Sequence, residues 1–210
     1  SPRDEAATLT YGSAVGGHEP VDWDGIEAMT LIGSHIGEDA RNTVMQDFAN
    51  AHARGAKVIV VDPRFSSVAA KADYWLPIKP ATDIALLLAW INVLIEEKLY
   101  DTEFVKNNTI GFDQLAHHVR QMTPEWAYGI TTVKPDLIRK TARFIAAHQP
   151  RSLIHPGRHT TWYGDDTQRL RAIAILTALL GSWGRRGGYH VYDKMKLREF
   201  PYTKYSHKFK

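Results

Sequence analysis

Short apolar runs alternate along this chain with longer amphipathic ones. Ala28–Ile32 (AMTLI) is apolar but for Thr30 and stops at Gly33, the pattern of a strand buried on both faces. From Asp39 to Arg54 the apolar residues Val44, Phe48 and Ala51 recur at helical spacing, and Gly55 is a good C-terminal stop. Val58–Val61 predicts a second strand, giving a strand–helix–strand unit of about 34 residues, the length of a right-handed parallel crossover. Tyr74–Ile78 predicts a third strand, closed by Pro77 and Pro80. Ile84–Ile95 is the longest apolar run, broken only by Asn92. It predicts a buried helix reaching about Lys98, capped by Thr82 or Asp83. Thr102–Lys106, Phe112–Gln121 and Asp136–His148 predict smaller helices, with breaks at Gly111, Thr123-Pro124 and Pro135. Arg151–His155 resumes the strand pattern and Asp166–Leu180 a helical one; Gly181–Gly188 (GSWGRRGG) is too glycine-rich for either throughout.

The alternation predicts an α/β fold, a parallel sheet with helices on both faces and a helical insertion. The corresponding units are 1–100 and 151–190 for the sheet domain, 101–150 for the insertion and 191–210 for a tail. A hydrophobic content of 44% and a charged content of 23% allow an ordinary core. No stretch approaches the ~20 apolar residues of a membrane span. The absence of cysteine excludes disulfides, thiolate zinc sites, iron–sulfur ligation and a cysteine nucleophile within this chain. The start on Ser-Pro shows no targeting signal and reads as a processed or excised segment. The net charge of +3 is a tail property: Lys194–Lys210 holds six Lys/Arg and one Glu, or +5, leaving −2 for the rest. Tyr202, Tyr205 and Phe209 in that tail favour docking on something other than nucleic acid.

Loops that follow parallel strands emerge at one sheet edge, where such sheets bind ligands. Three do so here: Gly33–Asp39 (GSHIGED), Asp62–Ser67 and Pro156–Asp166. The first suits either phosphate at a helix N-terminus or an ordinary turn capped by Ser34 or Asp39. Asp62, about 29 residues after Gly33, is either a ribose acceptor or a turn aspartate paired with Arg64, with Pro63 stiffening the turn. Asp83 in Pro80–Asp83 (PATD) is either a helix cap or an acceptor for the two N–H donors of guanine. His155 and His159 have a tempting metal spacing, but Pro156-Gly157 bars a helix between them and no third ligand is in register. Asp165 and Asp166 read as caps rather than a catalytic pair. The GRRGG stretch suggests a phosphate cradle, without the Walker pattern.

Three stretches together resemble the molybdopterin oxidoreductase family, whose members include dimethyl sulfoxide reductase and formate dehydrogenase. They are LIGSHIGED, GAKVIVVDPRFSSVAAKADYWLPIKPATDIALLLAWINVLIEEKLYD and HPGRHTTWYGDDTQRLRAIAILTALLGSWGRRGG, in the family's order over Leu31–Gly188. The last is most similar to the polysulfide, thiosulfate and tetrathionate reductase branch. The resemblance implies a Rossmann-like domain binding one of two molybdopterin guanine dinucleotides that hold molybdenum. It puts Gly33, His35 and Glu38 at the pyrophosphate loop, with Ser34 and Val61 also among the cofactor-binding residues. Asp62 would hold the guanosine ribose beside Pro63 and Arg64, and Lys79 and Asp83 would frame the guanine. Gly157, Arg158, His159 and Trp162 would approach the pterin and the substrate side of the metal, where Arg158 and His159 are the catalytic candidates, stabilising a sulfur oxyanion or polysulfide.

Two positions depart from the family pattern. His35 stands where Asn is common, and Ala81 where Gly is common, the latter of little consequence while that backbone keeps φ < 0. The family's cysteines for a [4Fe–4S] cluster, a molybdenum ligand and the second dinucleotide domain are not seen in this stretch. It therefore reads as a fragment of a catalytic subunit, inactive alone, whose expected partners are the remaining domains, an iron–sulfur electron-transfer subunit and a membrane anchor. Localisation stays open, periplasmic or membrane-associated if exported and otherwise cytoplasmic. Two other readings fit the residues: a stand-alone NAD or thiamine diphosphate enzyme, or a non-enzymatic module acting through its basic tail. Asp62→Ala is expected to weaken nucleotide binding and leave the fold largely intact.

Overall fold

The computed structural model describes residues 2–12, 21–34, 36, 42–155 and 166–189. Its centre is a four-stranded sheet of β1 (Ala28–Ile32), β2 (Lys57–Val61), β3 (Tyr74–Leu76) and β4 (Ser152–His155), in the order β3-β2-β1-β4. Every pairing is parallel. Alternation along each strand sorts side chains to two faces. Met29, Leu31, Val58, Val60 and Leu153 join a core with Phe48 and Ala51 of α2 (Asn42–Ala53). Ile32, Ile59, Val61, Leu76 and Ile154 face the other way. There they meet Trp90 and Leu94 of α3 (Asp83–Glu96) and Ile173 and Leu176 of α8 (Asp166–Leu179). A sheet covered on both faces needs no polar side, which is why β1 is buried at all five positions. The chain leaves β1 toward β2 and β3 on one side and returns to pair β4 on the other. That reversal opens the crevice in which doubly wound sheets bind ligands.

Four helices lie between α3 and β4: α4 (Thr102–Asn108), α5 (Phe112–Val119), α6 (Pro124–Thr131) and α7 (Pro135–Ala147). α6 and α7 pack against α3 and each other. The fully buried Trp90 donates its indole N–H to Thr141 Oγ1 on α7 at 3.0 Å. Asn92, the one polar residue in the long apolar run, donates to the Val119 carbonyl at the end of α5 (3.0 Å).

The structure corrects several expectations. Thr123-Pro124 is a break after α5, as expected, but also the start of an unanticipated α6: Thr123 Oγ1 accepts the Trp126 N–H at 3.2 Å, and Pro124 occupies the first turn, where its missing N–H costs no bond. α1 (Pro2–Tyr11), which packs on α8, was not anticipated. β3 stops at Leu76, because Pro77 has no N–H to continue the ladder.

The Gly181–Gly188 loop is a close-packed crossing. Three of its glycine amides are engaged by the protein: Gly187 N–H donates to Asp22 Oδ2 (2.9 Å), Gly184 N–H to the Tyr189 carbonyl (2.7 Å) and Gly188 N–H to the Arg185 carbonyl (3.1 Å). Gly187 has φ = 78°, and a Cβ there would lie 2.5 Å from the Gly25 carbonyl oxygen; a Cβ on Gly188 would collide with the Ser182 carbonyl. At Gly187 and Gly188 these contacts by themselves require glycine.

Candidate functional site

Short strand-to-helix connections place each helix N-terminus at the C-terminal edge of the sheet, so the chemistry-bearing loops gather there. Gly33 follows β1 with φ = 54° and donates its N–H to the Val61 carbonyl at 2.9 Å. This bond ties the two strand ends together and removes the Gly33 amide from any phosphate contact. Ser34 is buried beside it.

Asp62 continues β2 and is only 3% exposed. Its Oδ1 accepts the Arg64 N–H at 2.8 Å, an Asx turn around Pro63, and lies 3.8 Å from Arg64 Nε. The Asp62 carbonyl accepts the indole N–H of Trp75 on β3 (2.9 Å). The turn reading of this acid describes the geometry: it closes a turn with Arg64, and the carboxylate is buried at the sheet edge. Exposed Phe65 follows it, packed edge-on against Trp75 with ring centroids 4.9 Å apart.

The loop after β3 carries Lys79 and Asp83. Lys79 donates its backbone N–H to Thr131 O of α6 (2.9 Å) and accepts Thr82 Oγ1 at its carbonyl (2.6 Å), so the unanticipated helix anchors this loop. Thr82 holds the cap position of α3 without a side-chain bond to the helix, and Asp83 is the first helical residue, so neither is the capping side chain expected. Ala81 has φ = 62°, the left-handed region, so its replacement of glycine is not the minor change that a negative φ would have made it.

Asp83 is partly buried, and that burial pushes its carboxyl above the ordinary carboxylate range. Arg169 opposes the shift, while Asp166 and Asp62 reinforce it. Two of these neighbours, Asp166 and Arg169, went unrecognised as site residues in the sequence. Both are 4% exposed in the first turn of α8, with Nε and Oδ1 3.8 Å apart. The readable signal was an arginine in helical register with Ile173 and Leu176, a position that otherwise faces the core, preceded three residues earlier by an acid.

His155 ends β4, its ring tilted 40° to Trp23 at a centroid distance of 6.3 Å. Among the described residues no three His, Asp or Glu side chains are grouped to hold a metal ion. His35, Glu38, Gly157, Arg158, His159 and Trp162, and the basic tail from 190 on, lie outside the described residues. Also among the described residues, no helix is long and apolar enough to cross a membrane.

Residues 6–205 match the model of the molybdopterin oxidoreductase family. The chain is 35% identical over 202 residues to the thiosulfate reductase molybdopterin-containing subunit PhsA of Salmonella typhimurium, covering 90% of this chain and 27% of that one. It is 30% identical over 207 residues to the dimethyl sulfoxide reductase DmsA of Escherichia coli (88% and 25%). The solved structure of acetylene hydratase from Pelobacter acetylenicus superposes with a TM-score of 0.79 at 32% identity, covering 90% of this chain and 25% of that one. The chain thus spans about a quarter of the length of these relatives. A parallel sheet with acids at its carboxyl edge, a model match over nearly all its length and a close structural likeness together show that the chain belongs to the molybdopterin oxidoreductase family, within the dimethyl sulfoxide reductase superfamily.

Proposed function

We propose that this chain binds the guanosine end of a molybdopterin guanine dinucleotide within a molybdenum oxidoreductase. The observation that carries the reading is the pair of acids at the sheet edge, Asp62 after β2 and Asp83 at the start of α3, each of which can accept from a donor. Ribose hydroxyls and the N1–H and N2–H of guanine are such donors. With Asp62 Oδ1 engaged by the Arg64 amide, a hydroxyl approaches through Oδ2. Lys79 would frame the base beside Asp83, and Ser34 and the loop after Gly33 would receive the pyrophosphate. When bound, the cofactor supplies the two-electron chemistry at molybdenum; the protein's part is orientation and electrostatics.

In this reading residues 101–150 are a helical insertion supporting the sheet domain. The whole enzyme, with a second dinucleotide domain, an iron–sulfur centre and partner subunits, acts on sulfur oxyanions or polysulfide. The likeness to a thiosulfate reductase subunit supports that substrate class. Turnover of formate alone by the assembled enzyme, offered thiosulfate, polysulfide and formate in turn, would overturn it.

The cofactor reading is tested by titration calorimetry of the purified protein with GDP, ADP and NAD. GDP binds in preference to ADP, and Asp83→Ala weakens it by about tenfold or more, the loss of charge-assisted bonds. Tight NAD binding with no GDP response would establish a nicotinamide enzyme instead.

A further inference from the structure

Phe65 is 64% exposed, the most exposed of the Phe, Tyr and Trp side chains among the described residues. A single apolar side chain in water needs no explanation, but the backbone of this one is pinned from both sides. Before it, the Asp62 carboxylate accepts the Arg64 N–H; across it, the Arg64 carbonyl accepts the Ser66 N–H at 2.9 Å. Ser66, itself buried, accepts the Ala69 N–H at Oγ (3.3 Å) and the Ala70 N–H at its carbonyl (3.0 Å). The Phe65 ring lies edge-on to Trp75 with the planes at 68°, and Trp75 donates its indole N–H to the Asp62 carbonyl at 2.9 Å. One tryptophan thus braces both the acid and the phenyl ring. The loop carrying Lys79 and Asp83 leaves the neighbouring strand end, where the Asp62 N–H donates to the Leu76 carbonyl at 3.3 Å.

We infer that Phe65 is a stacking platform for the base of the bound nucleotide, a contact that adds affinity without choosing between purines. The inference rests on the guanosine reading of this sheet edge. A nucleoside joins its base to the ribose through a single bond, so a ribose held at Asp62 keeps its base beside the loop that follows that acid. There the base needs two kinds of contact. Its edge needs polar partners, which the loop with Lys79 and Asp83 carries. Its flat faces need an apolar partner, which Phe65 supplies. Stacking on an aromatic ring is tolerant of base identity because every base has a π-face. A ring already fixed by its turn and by Trp75 has little freedom left to lose on binding, so more of the stacking is retained as affinity. Asp83 then decides which base is bound, and Phe65 how tightly.

The test is titration calorimetry of the purified protein with GDP and IDP, with a thermal melt to establish that each variant is folded. Phe65→Ala binds GDP about tenfold more weakly, the weight of one base stacked on an aromatic ring. It weakens IDP by the same factor, so the ratio of the two affinities stays at its wild-type value, whereas Asp83→Ala lowers that ratio. Phe65→Trp binds GDP at least as tightly as wild type. Phe65→Leu, apolar but without a π-face, falls close to the alanine variant. GDP affinity within about twofold of wild type in Phe65→Ala, while Asp62→Ala and Asp83→Ala weaken it, would overturn the inference and leave the guanosine reading intact. Wild-type affinity in Phe65→Leu, or a loss in Phe65→Ala for GDP but not IDP, would likewise overturn the stacking role. A wild-type protein that binds no GDP would overturn both readings.

Discussion

Asp62 has one task shown by the geometry and one proposed for it, and two substitutions separate them. Its Oδ1 takes the Arg64 amide at 2.8 Å in a nearly water-free position, and its charge is the proposed acceptor for ribose hydroxyls. Asp62→Asn keeps a carbonyl oxygen for the turn but removes the charge. Hydrogen bonds to charged groups contribute about 1.5–3 kcal/mol and neutral ones about 0.5–1.5, so the substitution weakens GDP binding by about 1–1.5 kcal/mol, roughly tenfold. Asp62→Ala removes both functions, weakening binding by about 2–3 kcal/mol, roughly 30- to 150-fold. It also leaves the Arg64 N–H without this acceptor, at about 1–3 kcal/mol of stability. The ion pair with Arg64 adds little, because the arginine is more than half exposed and its Nε lies 3.8 Å away.

Thermal melts and GDP titrations on the same preparations read the two effects separately. At about 2–4 °C per kcal/mol for a chain of this size, Asp62→Ala melts about 2–12 °C below wild type, and Asp62→Asn stays within about 3 °C. The sequence alone led to the expectation that Asp62→Ala spares the fold; the Asx turn shows why it does so only in part. A Asp62→Asn variant with GDP affinity within about twofold of wild type would refute the ribose clamp. Equal melting temperatures for the two variants would refute the role of the turn bond.

Ala81→Gly should stabilise the protein. A side chain at φ = 62° costs about 1 kcal/mol, partly offset by the extra freedom glycine gives the unfolded chain, leaving a gain of about 0.5 kcal/mol, or about 1–2 °C in a thermal melt; a lower melting temperature would count against the strain. Asp83→Asn should raise stability at neutral pH while abolishing guanine preference. Because burial raises the Asp83 carboxyl, the folded state holds its proton more tightly than the unfolded chain does. Its stabilising contribution is therefore present below the ordinary carboxylate range and lost as pH rises through the raised value. Denaturant melts of both proteins should coincide in acid and diverge toward neutrality, with the variant more stable; a gap constant across pH would contradict the burial argument.

The strands were legible because a parallel sheet covered on both faces demands near-continuous apolar runs, and Ala28–Ile32 and Val58–Val61 supply them. α6 was missed because proline was read as a stop. In Thr123-Pro124-Glu125 it is a start, since a capping hydroxyl precedes it and an acid follows in the first turn. α1 lacks a strong apolar stripe of its own and is placed by its packing on α8, information that resides in another part of the chain.

The site divides in the same way. Asp62 and Asp83 could be found because topology alone sends the residues after parallel strands and before their helices to one edge. Arg169 could not be found by that rule, because its importance comes from the neighbouring helix: the packing of α3 on α8 turns a local Asp166–Arg169 spacing into the counter-charge of a different acid. The direction of the Asp83 shift sharpens this. A fold selected for stability alone would relieve a half-buried acid with two further acids beside it by an amide or a hydroxyl. Keeping Asp83 an acid near the buried Asp166–Arg169 pair is a local cost. The guanosine site proposed above would account for that cost, because a donor-rich base edge needs a charged acceptor.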